Sequence, residues 1–525
     1  MTETNSRLEY HTLWFKKVLP ILLLAFFCVM GLYLIYQITP FGMGINGDSY
    51  QYIFGADTLA AGYGIGRLDG GGNFKPLTHY PPLLSIILAG LKMTGMDTIN
   101  AARHLNAALF CLDILLVALI IKKATKSNTF ALIGSGLFLI SPTIISIHTW
   151  IFSEPPFLFF ELAGIFALAV FLEKNNISWL FISSISFGLT FLTRYSGVAL
   201  IATAAIALLL TQSTALKWKF RNLGILFLIS CTPMAIWMVR NYYLSGNAAN
   251  RNVRWHPMTL LRRHEGIDTV LAWIFPADFI TNKEKILVFV LLIIGIAAIT
   301  YWLFHYCTKE KANGIKWPNP GIRFLFSLLI LIYIGFLIIS ISLIDPGTPL
   351  DSRILSPLQV PVIILLITFL ADLWKNSRLP VQILIGTFII YLFFMNSNVS
   401  MKIIPELQSA GQGYASYSWK YSPVIQAVKD FPNAPIITNQ ITGIYIWTCR
   451  SSWPVPWRIN QDENVVRADY QEQLDLMRER IRVGAILVLH HPEMLPEETY
   501  SISDLTQGLT LADSLSDGAI YIDSP

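Results

Sequence analysis

A chain of 525 residues that is 54% hydrophobic and only 14% charged departs far from a soluble domain, in which about 25% of residues are charged. Its mean hydropathy of +0.53 excludes a disordered chain and a single soluble globule. The net charge of +5 is small and dispersed, so nucleic acid is excluded as the expected partner.

Long apolar runs recur from residue 18 to residue 396. Crossing the hydrocarbon of a bilayer takes about 20 such residues. Eleven spans are expected, at 18–38, 102–121, 129–147, 155–172, 178–193, 196–213, 222–239, 286–304, 322–343, 354–373 and 379–396. The pair around Thr193-Arg194-Tyr195 is tight, so that turn belongs at a membrane surface. A shorter apolar stretch, 83–95, follows Tyr80-Pro81-Pro82 and predicts an interfacial or re-entrant helix.

Basic residues of the short loops set the sides. Lys16 and Lys17 precede the first span, and Lys122, Lys123 and Lys126 follow the second. Lys174 follows the fourth, Lys217, Lys219 and Arg221 the sixth, Lys309, Lys311 and Lys316 the eighth, and Lys375 and Arg378 the tenth. With eleven spans all of these fall on one side, which is then cytoplasmic. The N-terminus is expected in the cytoplasm and the end outside a plasma or inner membrane. Several charges precede the first run, which reads as a retained anchor rather than a signal peptide.

The expected organisation is a polytopic α-helical transmembrane domain over 1–396 and an extracytoplasmic α/β domain over 397–525. Outer loops fall at 39–101 and 240–285. In the tail, strand-like runs at 434–439 and 484–489 flank a helix-like run at Tyr470–Arg480. The five cysteines form no CxxC pair, so neither a structural disulfide nor a thiolate metal site is expected.

Chemistry concentrates on the outer side. Asp48 precedes a helix-like run, 49–60. Its carboxylate suits either the cap of that helix or a general base at the membrane face. Asp57 lies nine residues on, as a surface charge or a second carboxylate. His79 and Tyr80 stand in a proline-stiffened turn, as interface anchors or as the lining of an outward pocket. Gly70-Gly71-Gly72 reads as a flexible tract. Asp113 and Glu161 sit inside apolar spans, where charges are expensive; bonding between helices and access to a polar cavity are both open. Glu161 lies two turns from Glu154 on the same face. Arg194 and Tyr195 end the fifth span, Arg240 ends the seventh, and Asp345, Asp351 and Arg353 precede the tenth. Each arginine alone suits snorkelling to headgroups. Three together beside acidic residues suit a phosphate-linked lipid, because guanidinium forks match phosphate oxygens.

These pieces, in this order, resemble the GT-C fold of lipid-phosphosugar-dependent membrane glycosyltransferases. The branch is that of the protein O-mannosyltransferases and the aminoarabinose lipid A transferase, similar to glycosyltransferase family 39. The matching segments are Gly47-Asp48-Ser49-Tyr50, Ala56-Asp57-Thr58-Leu59-Ala60-Ala61-Gly62, Tyr80-Pro81-Pro82-Leu83, Phe152-Ser153-Glu154-Pro155, Phe191-Leu192-Thr193-Arg194-Tyr195 and Asp351-Ser352-Arg353-Ile354-Leu355-Ser356-Pro357. The resemblance covers about 1–400.

It implies an inverting transferase that moves a sugar from a polyprenyl-phosphate donor to a hydroxyl of a lipid, glycan or protein in the cell envelope. Asp48 would act in catalysis, and Arg194 and Arg353, joined by Arg240, would bind the donor phosphate. Asp57, His79, Tyr80, Glu154, Tyr195 and Asp351 would line the substrate pocket. No cofactor is required; a divalent metal on Asp48, His79 and Glu154 is the one option left open. Ser49, where the protein O-mannosyltransferases have a second acidic residue, weakens a protein acceptor. The alternative is a transporter or flippase of lipid-linked sugars, which would rely on Asp113 or Glu161.

Overall fold

The computed structural model describes residues 2–211, 215–251, 253–274, 321–460, 465–496 and 499–524, with part of 286–301. Single turns aside, the helices follow in order as α1 (Thr2–Ile38), α2 (Gly47–Ala60), α3 (Leu83–Lys92), α4 (Thr98–Thr125), α5 (Asn128–Ile140), α6 (Pro142–His148) and α7 (Glu154–Lys174). They continue as α8 (Ile177–Thr193), α9 (Val198–Thr211), α10 (Leu216–Ser245), α11 (Leu260–Ala272), α12 (Ile322–Leu343), α13 (Ser356–Asn376) and α14 (Leu379–Ala410). The tail adds α15 (Ile441–Thr448) and α16 (Tyr470–Arg482).

Seven of the described helices are long and apolar enough to cross a membrane: Val18–Ile38 of α1, then α4, α7, α10, α12, α13 and α14. α5 and α6 make an eighth if counted as one span, bent by 59°. The continuous helix expected over 129–147 is therefore broken. Pro142 lacks an N–H and forces Ser141 into extended backbone, ψ 121°. α8 and Tyr195–Leu210 are apolar but shorter. The expected span 286–304 falls on residues described only in part. α3 has 10 residues and is apolar.

The chain divides into two compact units. The first holds Met1–Ile38, Thr78–Leu84 and Ala102–Pro405. Inside it, helices are joined by hydroxyls as well as by packing. Ser183 Oγ donates to Gly164 O at 3.0 Å, and Ser230 Oγ donates to Ser184 O at 2.8 Å. Such bonds satisfy polar groups that lipid cannot. The turn after α8 depends on Gly197, where a Cβ would stand 2.5 Å from Phe191 N.

The second unit holds Thr39–Leu77, Ser85–Ala101 and Glu406–Pro525. The first loop thus packs with the tail. β1 (Gly66–Leu68) and β2 (Phe74–Pro76) form an antiparallel hairpin. The glycine tract between them is not a flexible linker. Asp69 Oδ1 accepts from Gly71 N at 2.9 Å and Asn73 N at 3.0 Å, and Gly70 lies against Trp453, where a Cβ would be 2.5 Å from the ring.

The tail carries a mixed sheet of β3 (Ile436–Thr438), β4 (Ser452–Pro454), β7 (Ile486–His490), β8 (Leu509–Leu515) and β9 (Gly518–Asp523), in the order β4-β3-β7-β9-β8. A separate two-stranded pair joins β5 (Ile459–Asn460) to β6 (Val465–Val466). β3 runs parallel to β4 and β7, while β9 is antiparallel to β7 and β8. Period-two alternation sends Ile437, Leu487 and Leu489 to one core with Leu474, Met477 and Ile481 of α16. It sends Ile436, Ile486 and Val488 to a second core with Val424, Ile425 and Ile444. Both faces of the sheet are covered, as an α/β domain requires.

Candidate functional site

In the first unit, the N-terminus of α7 gathers the strongest cluster of charge. Pro155 and Pro156 occupy the first turn, where the missing N–H costs nothing. Glu154 opens the helix and is 0% exposed. Its Oε1 accepts from Arg353 Nε at 2.6 Å and also from Arg194 Nη1. Arg194 Nη1 donates to Ser153 Oγ at 3.2 Å as well. The Arg353 guanidinium lies 3.9 Å over the Phe152 ring. Two cations on one carboxylate leave a surplus of one positive charge. Both arginine side chains remain partly exposed, at 17% for Arg194 and 20% for Arg353.

Backbone geometry explains the aim of each arginine. Arg194 is extended, φ −150° and ψ 143°, between α8 and the turn that starts α9. Arg353 sits in a turn closed by Asp351, whose Oδ1 accepts from Ile354 N at 2.9 Å. Asp351 therefore builds the loop that carries Arg353.

A second cluster joins His79, Tyr195, Arg251 and Asp345. Tyr195 Oη donates to His79 O at 3.3 Å. Arg251 Nη1 donates to Asp345 Oδ2 at 2.5 Å, and its Nη2 lies 3.4 Å from His79 Nε2. Burial alone would raise the Asp345 carboxyl, but the bonded Arg251 guanidinium outweighs it and holds the group below the usual carboxylate range. Tyr80 meets the His79 ring edge to face at 5.0 Å. Sequence reasoning missed Arg251. The only signal was a basic run, Arg251-Asn252-Val253-Arg254, after the seventh span.

Arg240 is placed differently from the other two expected phosphate ligands. It stacks on Trp237 at 4.3 Å and donates to Asn241 Oδ1 at 3.0 Å. Asn241 is buried and donates to Thr78 O at 3.0 Å.

In the second unit, Asp48 occupies the first turn of α2 and is half-buried. It is not the cap. Asn46 Oδ1 accepts from both Asp48 N and Ser49 N at 3.0 Å, so Asn46 is the capping residue. Asp57 is neither a plain surface charge nor an open pocket group. It takes Thr98 Oγ1 and Tyr445 Oη, each at 2.5 Å, together with Lys92 Nζ. It ties α2 to α3, α4 and α15.

Among the described residues, no group of three His, Cys, Asp or Glu side chains is placed to hold a metal ion. The donor set considered for Asp48, His79 and Glu154 does not fit either, since Glu154 is already taken by two guanidinium groups.

Comparisons with known proteins bear on the fold. Residues 79–237 match the family described as dolichyl-phosphate-mannose-protein mannosyltransferase. No curated protein sequence matches the chain. The crystal structure of ArnT from Cupriavidus metallidurans in the apo state is similar, with a TM-score of 0.59 at 11% identity over 95% of this chain and 98% of that one. The same protein bound to undecaprenyl phosphate gives 0.56 at 12% identity, over 95% and 99%. The archaeal oligosaccharyltransferase AglB from Archaeoglobus fulgidus, in complex with an inhibitory peptide and a dolichol-phosphate, gives 0.51 at 12% identity over 97% and 75%. The chain has the GT-C fold of membrane glycosyltransferases, with its dolichyl-phosphate-mannose-protein mannosyltransferase likeness carried by residues 79–237.

Proposed function

We propose that this protein is an inverting glycosyltransferase that moves a sugar from a polyprenyl-phosphate donor to a hydroxyl acceptor of the cell envelope. The observation that carries the reading is the convergence of Arg194 and Arg353 on buried Glu154. It supplies one surplus positive charge and two partly exposed arginine side chains at the first residue of α7, a helix long and apolar enough to cross a membrane. A donor phosphodiester carries one negative charge and matches that surplus. Support also comes from relatives in fold that were solved with undecaprenyl phosphate and with a dolichol-phosphate. The N-terminus is assigned to the cytoplasm and the reaction to the outer face of a plasma or inner membrane, on the loop-charge bias.

In the proposed step, Asp48 accepts the proton of the acceptor hydroxyl. The oxygen attacks C1 of the sugar, and the bond from C1 to the phosphate oxygen breaks with its electron pair on the phosphate. Attack opposite the leaving group inverts the anomeric centre. The leaving phosphate gains a second negative charge as the bond breaks, and the two guanidinium groups stabilise that charge more than the ground state. Arg240 is assigned to the same anionic lipid from its place at the end of α10. His79, Tyr80 and Tyr195 are assigned to the sugar, and Asp351 to holding the Arg353 loop. No step is routed through a metal.

The test is incubation of the purified full chain with a panel of polyprenyl-phosphate sugars and envelope acceptors, read by mass spectrometry. Release of free polyprenyl phosphate with transfer of one sugar supports the reading and names the donor. Absence of both release and binding across the panel overturns it.

A further inference from the structure

Three ionisable side chains lie in the interior of the first unit. Asp113 on α4 and His148 at the end of α6 are 0% exposed, and Glu161 on α7 is 1% exposed. His148 Nε2 lies 3.5 Å from Asp113 Oδ2. Neither carboxylate oxygen of Asp113 has a hydrogen-bond partner, nor do His148 Nε2 and Glu161 Oε1. The arrangement places unpaired acceptors where lipid and apolar side chains provide no donor.

The imidazole orientation decides what is missing. His148 Nδ1 is 2.8 Å from Ile144 O. A carbonyl only accepts, so Nδ1 carries hydrogen and donates. In a neutral ring Nε2 then turns a bare lone pair towards Asp113. A lone pair facing a carboxylate oxygen is repulsive, so one of the two atoms must carry a proton. Charge gives the same answer. With both carboxylates ionised and the ring neutral, the group would hold two buried negative charges. Two added protons restore neutrality.

We propose that Asp113, His148 and Glu161 form a proton-binding site in the membrane interior, with one proton shared by Asp113 Oδ2 and His148 Nε2 and one on the Glu161 carboxyl. The site has a mechanical consequence. Asn106, two turns before Asp113 on α4, donates to His148 O at 3.2 Å and to Trp150 O at 2.8 Å. Glu154 follows directly on the same turn, and Glu161 stands two turns further along the face of α7 that carries Glu154. The protonated group and Asn106 therefore clamp α4, α6 and α7 beside the turn that presents Glu154 to its arginines. Asp113 and His148 are positioning residues in this scheme. Among the described residues, Tyr333 on α12 is also in electrostatic range of Glu161, as well as of Glu154 and Arg194.

The experiment uses the full chain in lipid nanodiscs and needs no substrate. Infrared difference spectra are taken between the wild type and the variants Asp113→Asn and Glu161→Gln. The expected result is a protonated-carboxyl carbonyl band that is lost in Glu161→Gln and persists into alkaline buffer. Asp113→Asn, whose amide donates to Nε2 without a titratable proton, should keep its melting temperature. Asp113→Leu and His148→Leu should lower it by about 5 °C or more. In parallel, metal-stripped wild type is titrated with Na⁺ and with Zn²⁺. Loss of ionised-carboxylate bands alone in both conservative variants overturns the proposal. So does a cation that raises the melting temperature of the wild type and leaves Asp113→Asn unmoved, because the oxygens would then be a cation site.

Discussion

Arg353 Nε lies 2.6 Å from Glu154 Oε1, across 199 residues of sequence. The carboxylate is fully buried, while the two arginine side chains that share it stay partly exposed. Breaking one side of a buried ion pair costs about 3–5 kcal/mol, because the other side is left uncompensated. Glu154→Gln should therefore lower stability by several kcal/mol at the severe end, and a melting curve of the variant in detergent checks this. A variant as stable as the wild type would show that the arginines do not depend on Glu154.

The same cluster separates the three arginines. Arg194→Lys and Arg353→Lys keep the charge but lose the fork, so kcat/KM for a lipid-phosphate donor should fall by about 10²-fold in each. Arg240, stacked on Trp237, should tolerate the lysine substitution with a loss of about tenfold or less. Equal losses at all three positions would contradict the ranking.

Asp48→Asn separates chemistry from folding. Asn46 caps α2, so the substitution should leave that cap in place, and a melting curve of the variant reads any other contribution of Asp48. Transfer should fall by about 10²–10⁴-fold if Asp48 is the base. Asn46→Ala is the converse, with a stability loss of about 1 kcal/mol. Retained turnover in Asp48→Asn would remove the base assignment and leave the fold untouched.

Asp57 gives the opposite expectation. Its carboxylate holds Lys92, Thr98 and Tyr445. Asp57→Ala leaves those donors unpaired and should destabilise the second unit by about 2–4 kcal/mol. Turnover per folded molecule should stay near that of the wild type, as judged by activity normalised to the folded fraction. Gly70→Ala should act in the same unit, at about 1–3 kcal/mol, because its Cβ would enter the Trp453 ring.

His490 predicts a pH dependence in the tail. Burial, and then the neighbouring charge of His491, push its imidazole from about 6.5 down to about 4. Its ring stacks on Trp419 at 4.1 Å. The unfolded chain thus binds this proton more readily than the folded one between those values. Stability is complete above the unfolded value and is lost as pH falls towards the folded one. The melting temperature should drop from about pH 7 to about pH 5, and His490→Gln should flatten that part of the profile. An unchanged slope in the variant would assign the dependence to other groups.

The membrane helices and the tail strands were legible because both rest on local periodicity. Runs of about 20 apolar residues can only be buried in lipid or in a large core, and alternation at Ile436–Thr438 and Ile486–His490 can only face two ways. The break at Pro142 was also written locally, in the missing N–H of one residue, although hydropathy alone ran across it. The acidic and basic residues of the candidate site stand out in the sequence, because charge near an apolar run is costly.

The sequence by itself determined that long apolar helices dominate the chain up to about residue 400 and which residue types border them. Partnership was decided by tertiary structure. Arg194 and Arg353 meet on Glu154, while Arg240 turns to Trp237. Asp57 became a half-buried tie between four helices, Asp48 yielded the cap to Asn46, and Arg251 joined His79 to Asp345. The glycine tract at 70–72 became a packed turn under Trp453. The physical reason is common to all of these. Hydropathy and helix propensity are properties of neighbours along the chain, whereas an ion pair or a hydrogen bond forms between groups that only the complete fold brings within about 3 Å.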